Sequence, residues 1–537
     1  MGVPSLFRVL ASKYPETNYW DSNIETDHLY FDYNCLIHQC RSNVIINDQM
    51  SEREIEEEMI SEVCKYTCKI ISIIKPRKLI YIAIDGPVPM GKMNKQRERR
   101  YKKVLYDDFY ETTKTKWNIK ETKKFDGNKI TPGTIFMSKL SSRLRTYINM
   151  GIFNKHKTTD FKVFFSDSNI PGEGESKIMD FIKNSKGGHT KKVIYGMDAD
   201  LIILSLQINK GETKLFRETL NMSTEMAKYH DCEFLFFDIN VLKEKLLEHY
   251  KLQMYDHERI MNDILFLSFL GGNDFVEPLP HTKVRESGFE ILLTTYKDCV
   301  KTNYLTDNTK INFDCFKILL YKLSLFEDKC IKKNANKNRV FNTITPRGSK
   351  RDMELFEHSY YSFHENPMHK QYHNICKQID FKCDDWKNQY NNIYFEDSNI
   401  KDIVQDYIQS LIWTLYYYHN NIITWGYMYN YRVAPCTTDI VDVLEENMFK
   451  KSFEIEKEMT PIEQLLNVIP PQSAYLLPNS YKLFIKENNF NCYPKNVTLD
   501  ALKGQKNIYS EPMLPKIDKS LISTIMKMLP VTENEKQ

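Results

Sequence analysis

The chain has 537 residues, 42% hydrophobic and 27% charged, so it is globular rather than disordered and long enough for two or three domains. A net charge of +3 excludes a strong general attraction to polyanions, so any nucleic acid has to be held by local basic clusters. The 12 cysteines contain no CxxC pair, and the closest spacings, Cys35/Cys40 and Cys64/Cys68, lack histidines arranged as a zinc site. Buried free thiols in a reducing compartment are the expectation.

In chain order, the opening MGVPSLFRVLASKYP lacks the apolar core of a signal peptide, and Leu6 stands where a myristoylation signal needs Ser or Thr. From 29 to 240, apolar strands alternate with helical segments. Strands are predicted at 29–33, 79–85, 162–167, 193–197 and 233–238, and helices at 51–74, 134–150, 175–184 and 258–270. This is the pattern of an α/β fold with a parallel sheet flanked by helices. Residues 328–352 are basic and Asn-rich with little periodicity, and read as a mobile loop. Dense apolar and aromatic sequence returns at 400–485. Its most apolar stretch is broken by His419, Asn420 and Asn421, which suits a buried helix better than a membrane span. The expectation is a soluble intracellular protein with no membrane partner.

The chemistry lies in seven carboxylates: Asp32 in LYFDYN, Asp85 in YIAIDG, Glu173 and Glu175 in PGEGE, Asp198 and Asp200 in GMDADL, and Asp274 in GGNDF. Open parallel sheets form their sites at the carboxyl ends of strands, where Asp32, Asp85 and Asp198 fall. Clustered carboxylates raise one another's pKa and need compensating charge. Hard divalent cations with oxygen ligands supply it, and two of them suit phosphodiester cleavage. In the basic run GKMNKQRERRYKK, helical spacing brings Lys92, Gln96, Arg99 and Arg100 onto one face, able to grip a phosphate. His38, six residues beyond Asp32, is placed to stack on a base, as are Trp425 and Tyr427 in ITWGYMYNY.

Taken together, these motifs resemble the Xrn-type 5′→3′ exoribonucleases over almost the whole chain. The resemblance runs from MGVPSLFRVLASKYP through LYFDYNCLIHQC, IAIDGPVPMGKMNKQRERR, ITPGTIFM, PGEGESKIMDFI, YGMDADLIIL and FLGGNDF. It resumes in YIQSLIWTLYYYHNNIITWGYMYNYRVAP and PIEQLLNVIPPQSAYLLP, and persists to LPKID. Looser counterparts of MGVP, GEGE, DAD and GND occur in flap endonucleases. The resemblance implies a PIN-like or flap-endonuclease-like α/β core covered by a mainly helical second region. It also implies a monomer that degrades single-stranded RNA processively from a 5′-monophosphate end with Mg²⁺, Mn²⁺ substituting. Asp32, Asp85, Glu173, Glu175, Asp198, Asp200 and Asp274 would hold two ions. Lys92, Gln96, Arg99 and Arg100 would bind the 5′-phosphate in a pocket too tight for a cap or triphosphate, with His38 and an aromatic of the 425–427 region enclosing the terminal base.

Departures from the family pattern are Ser176 in place of a usual His, GNDFVEPLP in place of the usual leucine-proline continuation, and Tyr427 in place of a Trp. The expected division is a nuclease domain at 1–300, a variable connecting region at 301–400 and a conserved helical region at 401–537, without long C-terminal extensions. Two competitors remain: a structure-specific 5′ DNA nuclease, disfavoured by the phosphate-binding face, and a catalytically silent RNA-end binder, disfavoured by the intact carboxylates.

Overall fold

Continuous apolar runs such as LYF and LIYIA cannot alternate between core and water, and they become central strands covered on both faces. The structure, a computed structural model, describes residues 6–116, 123–154, 161–185, 188–219, 232–301, 303–337, 379–396, 398–487, 491–500 and 510–529. Its main sheet is built from β1 (Asn18–Tyr19), β2 (His28–Asp32), β3 (Leu79–Ala83), β4 (Lys162–Ser166), β5 (Lys191–Tyr195), β6 (Glu212–Glu218) and β7 (Phe234–Asp238). The spatial order is β1-β7-β6-β5-β2-β3-β4. Strands β2 to β6 run parallel, and β7 and β1 are antiparallel additions at one edge. The sequence reading placed five of these strands to within two residues at most ends. It missed β1, only two residues long, and β6, whose alternation is interrupted by Lys214 and Arg217.

Successive side chains of each strand face opposite layers. Tyr30, Tyr81, Ile194 and Leu215 join one apolar cluster, and Leu29, Phe31, Ile80, Ile82, Val193, Tyr195 and Phe216 join another. The second layer is closed by α2 (Tyr33–Cys40), α3 (Glu52–Ile74) and α5 (Ile135–Asn149), in chain order around α4 (Met90–Lys116) and after α1 (Leu6–Lys13). Helix α3 begins at a capping box, with Ser51 accepting from the Glu54 amide and Glu54 accepting from the Ser51 amide. The first layer takes in α6 (Gly174–Asn184), α7 (Asp200–Ser205), α8 (Ile239–His249), α9 (His257–Leu270), α10 (Gly288–Cys299), α11 (Phe313–Lys337) and the helix Ile400–Tyr418.

One expectation changes here. Residues 328–337 of the basic segment continue α11 rather than forming a loop. Asp328, Lys329 and Lys333 are exposed on a helix whose apolar residues Phe316, Leu319, Leu320 and Leu323 are buried. The rest of that segment, 338–352, falls outside the described residues. The aromatic stretch at 400–418 is a buried helix, as expected, and no described helix is long and apolar enough to cross a membrane.

The C-terminal region reaches back to α4. Val88, Met90 and Met93 pack with Leu465, Leu466, Ile469, Tyr481 and Tyr493. The helix Pro461–Val468 starts from a second capping box, Thr460 with Glu463. Further along, Glu327 of α11 ties down the helix Thr437–Val443 by accepting from the amides of Thr437 (2.6 Å) and Thr438 (3.0 Å).

Candidate active site

Because β5, β2 and β3 are adjacent and parallel, their carboxyl ends lie side by side. Asp32 ends β2, Asp85 follows β3 by two residues, and Asp198 follows β5 by three. A cavity of about 580 Å³ opens there. Asp32, Asp85, Glu173, Glu175 and Asp198 line it together with Lys92, Gln96, Arg99, Arg100 and His38. Asp200 and Asp274 are not in the lining; Asp200 is buried, and Asp274 is tied to the lining residues Lys92 and Arg99.

The PGEGE turn is drawn tightly against the strand ends. The Gly174 amide donates to Asp85 Oδ1 at 2.7 Å. A Cβ at Gly174 would stand 2.7 Å from Asp32 Oδ1 and 2.9 Å from the Ala83 carbonyl, so only glycine fits. Lys177, one turn along α6, fixes the same corner by donating to the carbonyls of Ile84 (2.7 Å) and Asp167 (3.1 Å). Glu173 Oε2 accepts from the Tyr417 hydroxyl at 2.7 Å, and that hydroxyl in turn accepts from Ser176 at 3.1 Å. Ser176 thus serves the carboxylate through an intermediate tyrosine.

Burial is the largest influence on these acids. It holds Asp32 well above the carboxylate range, with Asp85 and Asp198 adding repulsion. Asp85 is pushed up to about 6 by burial and then by Glu173. Glu175 rises by burial, Glu173 and Asp200, and Asp200 is brought to about 6 chiefly by burial. Asp274 departs from this trend. Burial acts on it too, but Lys92 and Arg99 outweigh it and hold the carboxyl far below its ordinary value.

The basic run separates into two faces with different jobs. On one, Lys92 Nζ lies 2.5 Å from both Glu173 and Asp274, and Arg99 is 3.6 Å from Asp274. The expected phosphate-binding lysine is therefore paired with two of the expected metal ligands. On the other face, Lys95 bridges Glu277 and Glu511, while Arg97 donates to the carbonyls of Pro515 and Cys492. These contacts pin α4 to the C-terminal segment.

Residues outside the expected set hold the cavity's donors in place. Gln464, fully buried in PIEQLL, donates to Gln96 Oε1 at 3.3 Å and accepts from the Val88 amide at 2.8 Å. Asn128 accepts from Arg100 at 3.3 Å and donates to Ser473 of PPQSAYLLP at 2.8 Å. Asn34 exchanges bonds with Asp85, donating to Oδ2 at 2.9 Å and accepting from its amide at 3.2 Å. Asn34 was within reach of sequence reasoning, standing two residues beyond Asp32. Gln464, Asn128 and Ser473 carried no local signal.

His38 lies on the cavity wall with its ring open to solvent. Its imidazole titrates below the ordinary value, the crowding around it being the main cause and Arg41 and Arg100 adding to it. Trp425 and Tyr427 do not line the cavity. Tyr427 stacks on Trp413 at 5.9 Å and donates to Asp406, so it is packed inward. A base contact from it needs the ring to turn out.

A mostly parallel sheet with acids at its carboxyl ends, facing a cationic helix, defines an α/β protein with an acidic site at the strand ends. Comparison with known families makes this specific. Residues 1–219 match the model of the XRN 5′-3′ exonuclease N-terminus, and residues 254–392 and 357–537 match the Xrn1 helical domain. The chain belongs to the Xrn 5′-3′ exonuclease family. It is 29% identical to 5′-3′ exoribonuclease 1 of Homo sapiens, over 98% of this chain and 34% of that protein. Identity to 5′-3′ exoribonuclease 1 of Saccharomyces cerevisiae is 25%, over 93% and 41%. For the 5′-3′ exoribonuclease 2 homolog of Drosophila melanogaster it is 26%, over 96% and 70%. The chain thus spans about a third to a half of the exoribonuclease 1 relatives it matches. Among solved structures, the catalytic core of Rad2 with DNA is 14% identical at a TM-score of 0.30, covering 67% of this chain and 80% of that one.

Proposed function

We propose that the chain is a metal-dependent 5′→3′ exoribonuclease that degrades 5′-monophosphorylated single-stranded RNA processively to mononucleotides. The observation that carries this reading is one cavity lined by carboxylates together with Gln96, Arg99 and Arg100. The curated relatives named above, all called 5′-3′ exoribonucleases, support it.

The donor set suits hard cations: carboxylate oxygens, buried and mutually repelling, with Asp32 held above its ordinary range by burial and by Asp85 and Asp198. Asp32, Asp85, Glu173, Glu175, Asp198, Asp200 and Asp274 would hold Mg²⁺ or Mn²⁺, as two ions. Such ions supply Lewis-acid stabilisation of charge at the phosphodiester.

The protein's own groups bind and orient. Arg99 and Arg100 supply the planar donors that match a terminal phosphate, and Gln96 adds an amide. Gln464 and Asn128 fix two of these side chains before substrate arrives, lowering the ordering cost of binding. Lys92 neutralises Glu173 and Asp274 and stands between the acids and the phosphate-binding face. His38, neutral at physiological pH, offers an uncharged ring to the first base.

The test is an end-labelled cleavage assay with Mg²⁺ on matched RNAs bearing 5′-monophosphate, 5′-hydroxyl or 5′-triphosphate ends, beside single-stranded and flap DNA. Rapid conversion of the monophosphate RNA alone to mononucleotides is expected. Preferential cleavage of flap DNA, or binding with no cleavage, would overturn the reading.

A further inference from the structure

We propose that Tyr417, from the helical region, is a positioning residue for Glu173: together with Ser176 it directs the glutamate carboxylate toward the divalent cations. The inference rests on the reading of Glu173 as a metal ligand and names what orients it.

Glu173 and Ser176 belong to the part of the chain that matches the exonuclease N-terminus, and Tyr417 to the part that matches the helical domain. Local structure shows why the acid takes a distant partner. Glu173 is the N-cap of α6, where a side chain ordinarily bonds an amide of the first turn. Its carboxylate makes no such bond. Oε2 instead accepts from the Tyr417 hydroxyl at 2.7 Å, and Ser176, the third residue of α6, donates to that hydroxyl at 3.1 Å. The start of the helix is thus closed through a hydroxyl 244 residues away.

Packing sets where that hydroxyl stands. Tyr417 is 3% exposed, next to the last residue of the helix Ile400–Tyr418. Its ring stacks on Trp413 at 5.3 Å and meets Phe275, the neighbour of Asp274, at 4.6 Å. Trp413 is anchored in turn by donating to the Thr424 carbonyl at 2.9 Å.

The two donors to Glu173 act differently. Lys92, 2.5 Å from Oε1, cancels charge. Tyr417 is a neutral donor at physiological pH and fixes the direction of the group without cancelling its charge. A carboxylate oxygen has two acceptor places, so one bond on each leaves another for a cation. Donation from Ser176 polarises the phenol and strengthens its bond to the acid. Partners of this kind orient metal ligands, and their loss costs about ten- to a hundredfold in metal affinity.

The experiment measures Mn²⁺ binding to the purified RNA-free chain from the paramagnetic resonance signal of the free ion. Wild type, Tyr417→Phe, Ser176→Ala, the double variant, Glu173→Gln and Tyr296→Phe are compared, with circular dichroism to verify folding. Tyr296→Phe is the structural control: it deletes another buried tyrosine-to-carboxylate bond, 2.6 Å to Asp263, which is not in the cavity lining. Mn²⁺ affinity should fall about ten- to a hundredfold in Tyr417→Phe and less in Ser176→Ala. The double variant should fall no further than Tyr417→Phe, because the serine acts through the tyrosine. Tyr296→Phe should keep the wild-type affinity, and an equal loss there would overturn the positioning role. Unchanged affinity in Tyr417→Phe, beside a loss in Glu173→Gln, would also overturn it while leaving Glu173 a ligand. Unchanged affinity in Glu173→Gln would remove the ligand itself, and the inference with it. Ser176→Ala keeps the tyrosine ring, so full affinity there overturns the Ser176–Tyr417 chain even if Tyr417→Phe misfolds.

Discussion

Lys92 Nζ lies 2.5 Å from Asp274 Oδ2, and the same ammonium is 2.5 Å from Glu173 Oε1. All three side chains are largely sealed from water, so this cation offsets part of the clustered negative charge within the protein. The pairing raises the lysine pKa despite the cost of its burial. Removing one partner of a buried pair strands the others, at about 3–5 kcal/mol. Lys92→Met should therefore lower the unfolding temperature strongly in chelator, and Mg²⁺ should recover more of the loss than it adds to wild type. Thermal unfolding with and without Mg²⁺ reads this directly. Equal gains in both proteins would show that Lys92 and the cations do not compensate the same acids.

Asp200 opens α7 with 2% exposure, and the Tyr418 hydroxyl donates to its Oδ2 at 3.4 Å. Asp200→Asn keeps the shape and deletes the charge. Cleavage of monophosphate RNA should fall by at least about a hundredfold while RNA binding is retained. A variant with full activity would remove Asp200 from the proposed ligand set.

The phosphate-binding face depends on two remote motifs. Arg100 is steadied by Asn128, itself held by Ser473, and Gln96 is steadied by Gln464. A hydrogen bond to a charged group contributes about 1.5–3 kcal/mol, equivalent to roughly ten- to a hundredfold. Arg100→Ala should cost that much of the preference for 5′-monophosphate over 5′-hydroxyl RNA, and Asn128→Ala a part of it. The readout is the ratio of kcat/KM values for the two ends. An unchanged ratio in Arg100→Ala would dismantle the pocket.

The strand ends were legible because burial writes them plainly: LYFD, LIYIAID and KVIYGMD each run apolar and then stop at an acid. The basic helix was legible as a face, since 3.6-residue periodicity alone groups Lys92, Gln96, Arg99 and Arg100. Its pairing with Glu173 and Asp274 was not, because that depends on how far β3 and the 271–275 turn are brought together in space. Gln464, Asn128 and Ser473 escaped for the same reason: each is ordinary in its local sequence and acts across more than 300 residues or through a neighbour. Tyr427 is a different case. Its aromatic neighbourhood suggested a base contact, whereas Trp413 and Asp406 offer it a packed place within the protein. The helix at 328–337 was hidden by its own charge, since the apolar residues that anchor α11 lie earlier in the segment.

Away from the cavity, Glu327 provides a clean acid-dependent contact. The side chain is 1% exposed and accepts from the Thr437 and Thr438 amides and the Thr438 hydroxyl, with His281 3.7 Å away. Burial alone would raise its pKa, but His281 and the two amides prevail and bring it below the ordinary glutamate value. Between the lowered folded value and the ordinary unfolded one, the unfolded chain binds more protons, so stability rises with pH there. The contribution is thus fully present above the ordinary glutamate value and is lost as pH falls through the folded one. Its size is about 1.5–3 kcal/mol, that of hydrogen bonds to a charged group. Glu327→Gln keeps an oxygen acceptor but cannot titrate. Its unfolding temperature should start lower than wild type at neutral pH, and the gap should narrow as both are acidified below about pH 4. Other carboxylates tilt both curves alike, so the difference between them isolates Glu327. Curves that stay parallel through that window would mean that the charge on Glu327 contributes nothing to holding the 437–443 helix against α11.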